Sequence, residues 1–553
     1  MNLLTDHWLP VELRNGQHAT ISVADLGDAS NPPVAFRLPR ADFRFGATEL
    51  LIGIFTALLT PETVGECRRL QRTPPGVDEL QKQVAASPIL PAFELDGDGP
   101  RFMQDFDAAL TDGATHAPTA LIIDGPGEST IAQNTDLFEK RQSAAQPVLS
   151  RTSAAIALFV LQSNAPSGGR GHRTGFRGGG PLTTIVIPHD NASLLDTIIA
   201  NVQRGHTFKP AHLQRIFPWL AATRTSAPGD APLAPADVHP LQAFFAMPRR
   251  IRLDFEDGGG RSCAISGGTD ERVVVAYRRR AYGAKYSDVT MEHPLSPYRF
   301  DKKANRTLAI HPQRSGVQWD YFLGGVIGNA ANRISPAATV TAYRDHGVGR
   351  TPTILAAGYA TDNAKVEAYF QARLPLPVFG DEASRLKFDV AAARLVEASI
   401  IVARSTRAAI WHSKAESRNS FDGASSLISA ADRTFWHDTE AEFLATITQW
   451  QSDLGGGKDV SPEWGSRWRR VLASTALRVF DHFVALDGGG SVKMLKDSSD
   501  RPVFRVAQQR RFLLGHLNGW SKSGKELFGK LGLPLPAPKS DQVPEAATPE
   551  AAQ

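Results

Sequence analysis

The texture of the chain changes once, at Leu374-Pro375-Leu376-Pro377, and that change constrains the architecture more than any other feature. Upstream, apolar residues come in short runs broken by glycine and proline. Trp8-Leu9-Pro10-Val11 is apolar, Asn15-Gly16 is a hairpin-type turn, and Ala19-Thr20-Ile21-Ser22-Val23 has strand character. Helical character over 47–59 and a strand-like Arg272-Val273-Val274-Val275-Ala276-Tyr277 complete a mixed pattern. Downstream, apolar positions recur at helical spacing. Asp381 is placed to cap a helix through Leu386, Val390, Leu395 and Val402. Thr439-Glu440-Ala441-Glu442 reads as a capping box before Phe443, Leu444, Ile447 and Trp450. Ser461-Pro462 reads as a helix start before Trp464, Trp468, Leu472, Val479 and Phe483, and a fourth helix is expected near 502–520. At 553 residues the chain exceeds one ordinary core. The expectation is α+β: a large mixed α/β domain over 1–375, an all-α four-helix bundle over 380–533, and a disordered Pro-, Ala- and Glu-rich tail over 534–553. The helically spaced aromatics are expected in the bundle core rather than around a cofactor.

A net charge of +4 permits nucleic-acid binding without requiring it, so any such affinity must be local. Cys67 and Cys263 lie far apart, with no CxxC; a zinc framework or disulfide scaffold is not expected, and a reducing cytoplasm suits the chain. The N-terminus lacks a signal-peptide pattern, and the longest apolar run, Leu50 to Leu59, is about half of what a membrane span needs. Neither Gly171-His172-Arg173 nor Gly455-Gly456-Gly457-Lys458-Asp459 continues as a phosphate-cradling P-loop. HExxH and GxSxG are absent, and His293, in His293-Pro294-Leu295-Ser296-Pro297-Tyr298, reads as a structural hydrogen-bonder. No metal, cofactor or catalytic residue is assigned, which points to a binding or assembly subunit.

The richest segment is Gln162 to Thr184, where glycines alternate with Arg170, His172, Arg173 and Arg177 and no acid occurs. Glycine lets a backbone approach another surface, and guanidinium forks suit phosphates and base edges. Such a loop fits a nucleic acid; composition alone equally allows a solvated linker. Apolar runs at 154–161 and 182–187 pin it at both ends, and positioned loops tend to carry function. A second basic run, Arg278-Arg279-Arg280 followed by Tyr282-Gly283-Ala284-Lys285-Tyr286, reads either as a phosphate grip or as a charged edge strand. Residues 124–147 read as a long loop.

Taken together, these blocks resemble the large subunit of the type I-E CRISPR effector complex, Cascade. The resemblance runs through Asn2-Leu3-Leu4-Thr5-Asp6-His7-Trp8-Leu9-Pro10-Val11, Arg101-Phe102-Met103-Gln104, Thr174 to Thr184, Tyr282 to Pro297, and Gly358-Tyr359-Ala360-Thr361-Asp362-Asn363-Ala364-Lys365, in order and at matching spacing. It implies a non-catalytic subunit of an RNA-guided antiviral complex. The N-terminal domain would read the protospacer-adjacent motif (PAM) in double-stranded DNA and start duplex opening for an R-loop. The helical bundle would contact neighbouring subunits and displaced DNA, and a separate helicase–nuclease would be recruited. The implied partners are the backbone, handle-binding and small subunits, the CRISPR guide RNA, PAM-containing duplex DNA and that helicase–nuclease, with no membrane.

Carried over by residue, Gly168, Gly169, Arg170 and Gly171 fall on the glycine loop that approaches the PAM from the minor groove. Asp362 and Asn363 fall on the wedge at a hairpin tip. Lys285 and Arg280 both stand where the family's minor-groove lysine is expected, with Arg173, Arg177, Arg278 and Arg279 as further groove or phosphate contacts. Asp124, Gly125, Pro126 and Gly127 open the loop that meets the guide and neighbouring subunits. Some members carry paired cysteines before the basic strand; Arg261-Ser262-Cys263-Ala264-Ile265-Ser266 keeps one, so no zinc site is carried over. Two other readings are a stand-alone metal-dependent nuclease or hydrolase using His172 and nearby acids, and an architectural subunit whose glycine loop binds protein.

Overall fold

The helix Ala41–Leu59 is buried on nearly every side, and the N-terminal unit is built around it. A helix apolar all round must be enclosed, and this one packs against Arg151–Asn164, itself enclosed along most of its length, and against Leu194–Ala200. It begins before the helical stretch expected from sequence and absorbs Leu50 to Leu59 into the core. The computed structural model describes residues 1–107, 110, 114–125, 146–169, 171–286, 291–330, 333–348, 351–362, 365–414, 424–485, 494–496 and 502–536. The chain divides into two compact units, Met1–Asp381 and Glu382–Gln553. The fold is α+β, with a mixed first unit and a helical second one. The expected tail lies, from residue 537 on, outside the described residues.

Small antiparallel sheets complete the N-terminal unit. Leu9–Leu13 pairs with His18–Ile21 and Pro33–Phe36, and Asn15-Gly16 turns the first hairpin as expected, with Gly16 at φ +84°. Arg272–Arg280 is an interior strand. It pairs with Arg250–Asp257 on one side, and on the other with Ala114–His116 and Leu149–Ser150. The edge-strand reading of Arg278-Arg279-Arg280 is therefore overturned: Arg278 faces Thr115 and Arg252, and Arg279 faces Ala114 and Ile251. A third sheet has the order Thr183–Ile187, Thr353–Asp362, Lys365–Pro375. Thr183–Ile187 pairs only with Thr353 to Ala357, so beyond Ala357 the hairpin continues as a two-stranded arm. Its root is buried and its end, at Asp362 and Lys365, is exposed.

The second half of the glycine segment is a packing element. Gly180, at φ +66°, crosses the arm where it leaves the sheet; a Cβ there would stand 2.6 Å from the Tyr359 carbonyl oxygen. Opposite, a Cβ on Gly358 would stand 2.5 Å from the Pro181 carbonyl oxygen. Just ahead of these crossings in the chain, Arg177 turns inward. Its guanidinium pairs with Glu49 Oε1 at 2.5 Å and donates to Thr183 Oγ1 at 2.7 Å and Ser296 Oγ at 3.0 Å. Both charged side chains are almost fully buried, at 2% and 3% exposure. Arg177, expected as a phosphate contact, is committed to the interior, because moving it outward would strand the Glu49 carboxylate. His293 packs beside the pair, its Nδ1 accepting from Leu295 N at 3.2 Å, which puts the ring proton on Nε2, 3.4 Å from Glu49. Burial and the Arg177 charge hold its pKa well below the usual range, so the ring is neutral. The structural reading of His293 agrees with this placement.

In the second unit, Glu382–Lys414 packs against each of Ala424–Gly455, Trp464–Ala485, Arg505–Leu517 and Lys522–Leu531. Three features depart from expectation. The contact stripe of the first helix is Phe388, Ala391, Ala392, Leu395, Ala398, Ser399 and Val402, whereas Leu386 and Val390 are about half exposed. Small residues let the helices close together, and Ser399 accepts from Trp468 Nε1 at 2.9 Å. Thr439 caps nothing; it sits inside Ala424–Gly455, with its hydroxyl on the Phe435 carbonyl at 2.8 Å. The unit is not purely helical, since Met494–Lys496 pairs with Pro502–Phe504 ahead of Arg505–Leu517 and a fifth helix follows. The expected aromatic core is present: Phe443, Ile447, Trp450, Trp468, Leu472, Val479 and Phe483 are buried.

Arg177→Ala leaves the Glu49 charge buried and unpaired and should cost about 3–5 kcal/mol in denaturant titrations. The double variant Arg177→Met with Glu49→Leu, which removes both charges, should recover much of that loss. A single variant as stable as the parent would show that the pair does not hold the loop base. His293 carries a pH dependence of definite sign. Its folded pKa is depressed, so the unfolded chain takes up the proton first, and stability falls as pH drops below the unfolded value of about 6.5. The thermal midpoint should decline from pH 7 to pH 5, and less steeply in His293→Asn; equal slopes would contradict the assignment.

Candidate nucleic-acid interface

The first half of the glycine segment leaves the helix Arg151–Asn164 and forms a tip. Ser167, Gly168 and Gly169 are exposed, and Gly169, at φ +87°, has open space where a side chain would be. The tip is tied down at its far side, where Tyr282 N donates to the Gly171 carbonyl at 2.6 Å. Gly171 takes φ +78°, and a Cβ on it would meet Ala281 Cβ at 2.7 Å. Tyr282 itself adopts φ +64°, which for a non-glycine residue is costly and persists only where its surroundings enforce it. Arg173 helps to enforce it: Nε donates to Ser226 Oγ at 2.8 Å and Nη2 to the Ser226 carbonyl at 2.9 Å, with the guanidinium over the Tyr282 ring at 6.0 Å. Ser226 in turn donates to the Gly283 carbonyl at 2.7 Å. The glycine segment and the end of the basic strand, far apart in sequence, are thus joined into one surface. Arg170 lies outside the described residues.

The other sequence-derived cations separate by their surroundings. Arg278 pairs with Asp254 at 2.9 Å. Arg279 is exposed, and its charge, with that of Arg249, depresses the His172 pKa after burial. Arg280 ends the strand opposite Arg250. Lys285 is exposed and lines a cavity of about 180 Å³ with Arg173, Arg224 and Asp230. The hydrolase reading requires acids beside His172, but the charges acting on that ring come from Arg249, Arg279 and His116. Among the described residues no group of three or more His, Cys, Asp or Glu is arranged to hold a metal ion.

The arm brings up Asp362 at its exposed end, in register with Lys365. Arg314, which no sequence pattern singles out, pairs with Asp362 and, at 2.7 Å, with Glu367, so the carboxylate does not face its surroundings alone. Asn363 lies outside the described residues. At the arm's root, Tyr359 donates to Asp42 Oδ2 at 2.7 Å, and Arg40 bridges Asp42 at 2.9 Å to Asp124 at 2.7 Å. Burial, then Asp42, holds the Tyr359 pKa far above its usual value, so it remains a hydrogen-bond donor. Asp124, itself exposed, therefore ties the start of its loop through Arg40 to the network that roots the arm, with exposed Gly125 following; Pro126 and Gly127 lie outside the described residues.

Arg249 is the second residue that sequence reasoning missed. Its guanidinium passes beneath the tip, where a Cβ on Gly168 would stand 2.4 Å from Nη1. Gln162, near the end of the preceding helix, holds the Arg249 backbone at both polar atoms, each at 2.9 Å. The only sequence signal was the dipeptide Arg249-Arg250 between a proline and a strand.

Comparison with known proteins fits this architecture. Residues 2–479 match the family of CRISPR-associated protein Cse1. CasA of Thermus thermophilus superposes with a TM-score of 0.63 at 16% identity, covering 96% of this chain and 99% of that one. Cse1 of Thermobifida fusca gives 0.59 at 16% identity, covering 96% and 98%. A chain of a CRISPR RNA-guided surveillance complex gives 0.63 at 14% identity, covering 94% and 99%. Likeness at these identities speaks for the fold, and the family match over most of the sequence speaks for descent: this chain belongs to the CRISPR-associated Cse1 family.

Proposed function

We propose that the chain is the large subunit of an RNA-guided CRISPR surveillance complex, acting without catalysis of its own. Its N-terminal unit reads the PAM in duplex DNA and starts strand separation beside it. Its partners are the other subunits, the guide RNA, the target duplex and a helicase–nuclease that acts in trans. One observation supports this reading above the rest: an exposed glycine tip and a two-stranded arm grow from one support, where Gly180 and Gly358 cross at the root of the arm. A reader and a wedge must move as one body if recognition is to be converted into opening.

The physics follows from small residues and local charge. The minor groove is too narrow for bulky side chains and distinguishes A·T from G·C but little else. A glycine tip fits that space and gives tolerant reading. Opening costs roughly 1–2 kcal/mol per base-pair step, and pairing of the guide with the target strand returns about as much. The arm has only to lower the first steps, so the subunit needs no nucleotide hydrolysis.

Gly169 has open space beside it, but at φ +87° any L residue is strained, so a variant there is compared with the parent at equal assembly into the complex. In an assembled, guide-loaded complex, Gly169→Val should lose PAM-dependent binding by at least tenfold while non-PAM duplex binds as before. Preserved discrimination in gel-shift titrations would sink the tip's role. Asp362→Ala should leave initial duplex binding within about twofold and slow R-loop formation, read by fluorescence of a base analogue beside the PAM. Opening rates equal to the parent's would argue against the arm as a wedge.

A further inference from the structure

We propose that Arg249, with Arg279 and His172, forms a seat for one DNA backbone phosphate beneath the glycine tip. This rests on the reading that the tip meets duplex DNA. Several arginines of the N-terminal unit are neutralised: Arg177 by Glu49, Arg278 by Asp254, Arg250 by Asp105, Arg151 by Asp270. Arg249 is not. The Arg279 guanidinium acts on Arg249, the Arg249 and Arg279 guanidinium groups act on His172, and no carboxylate is among the groups that perturb either side chain. Burial and the Arg279 charge pull the Arg249 guanidinium down to about 10.

The geometry is that of a prepared site. Gln162 fixes the Arg249 backbone, and Nη2 donates to the Pro166 carbonyl, which holds the guanidinium under Gly168. Its Nε is buried with no hydrogen-bond partner among the described residues. Gly168 leaves the space that the guanidinium fills, so the glycine and the arginine depend on each other. Arg279 extends the cluster to the surface. Like charges gathered without an acid cost stability unless an anion joins them. A phosphodiester oxygen has the charge, and accepts the hydrogen bonds, that this cluster offers. DNA is favoured over guide RNA as the source because the cluster lies directly beneath the exposed tip.

The test uses the full chain in a guide-loaded complex, with binding of a PAM-containing duplex followed between 50 and 200 mM salt. Arg249→Gln and Arg279→Gln should each reduce the slope of log K against log salt by about one unit and weaken binding roughly tenfold near 0.1 M. The ratio of PAM to non-PAM affinity should be unchanged, because a phosphate contact is blind to sequence. Arg249→Lys should keep most of the slope, which a purely structural role would not produce. Gly168→Ala should weaken binding, because its Cβ would meet the Arg249 guanidinium at 2.4 Å and His172 Cβ at 2.7 Å, two of the three members of the seat. Arg279 is exposed, so its variant keeps the test open if Arg249 variants fold poorly. If Gly169→Val leaves PAM-dependent binding intact, the reading of the tip itself fails. If Gly169→Val abolishes that binding while both glutamine variants keep the parental slope, only the phosphate seat fails. Loss of guide retention with an unchanged DNA slope would move the site to RNA and overturn the proposal.

Discussion

The buried pair of Arg177 with Glu49 is the constraint from which the N-terminal unit takes its form. An isolated charge in that environment is prohibitive, and two charges are tolerable only with good geometry and satisfied hydrogen bonds. The planar fork meets those conditions by reaching Glu49, Thr183 and Ser296 at once. These belong to the central helix, the strand after the glycine segment, and the turn after His293. An apolar side chain of the same volume would pack there but would not dictate direction. Because the base of the glycine segment cannot rotate, the tip on its other half has a defined position.

Charge is organised by the same logic across the unit. Several cations that build the fold are matched with acids, and the matching reaches far along the chain, as between Arg151 and Asp270 or Arg250 and Asp105. Cations beneath the tip are not matched. A formal net charge of +4 conceals this difference completely. What matters for an anionic partner is where neutralisation stops.

The same distinction explains how much was legible in the sequence. The change of texture near Pro377 announced the mixed and helical regions, because hydrophobic periodicity reports directly on which face is enclosed. Asn15-Gly16 announced its hairpin, because few residues tolerate that backbone. Arg177 was illegible: it stands in the same glycine-rich run as Arg170 and Arg173, and only the position of Glu49, far away in sequence, separates a core cation from a surface one. The basic strand misled for a similar reason, since an edge strand and an interior strand differ in their neighbours and not in their own residues. Thr439 misled because the capping pattern is local, while the helix continues through it on the strength of buried Phe435 and Phe443. Arg249 and Arg314 were missed since each draws its meaning from a residue brought close only by folding.

The run of glycines also separates once the fold is known. Gly180 and Gly358 are small so that two backbones can cross, whereas Gly169 is small with nothing pressing upon it. Packing accounts for the first two, whereas the third is favoured by its backbone, at φ +87°, with open space beside it. Tyr282 sharpens the point: it holds φ +64° in the turn that receives the Gly171 carbonyl, and strain of that kind persists only where its surroundings compensate. Retaining both an empty position and a strained neighbour at an un-neutralised basic surface is consistent with a tip shaped for something that docks from outside. A reader made mainly of backbone gains little sequence detail from such contact, so its discrimination rests on groove width and on the fit of a few atoms. Strong, uniform positive charge would swamp so small a preference with sequence-blind attraction, so on the proposed reading a small local group of unmatched cations suits the tip better than a uniformly basic face.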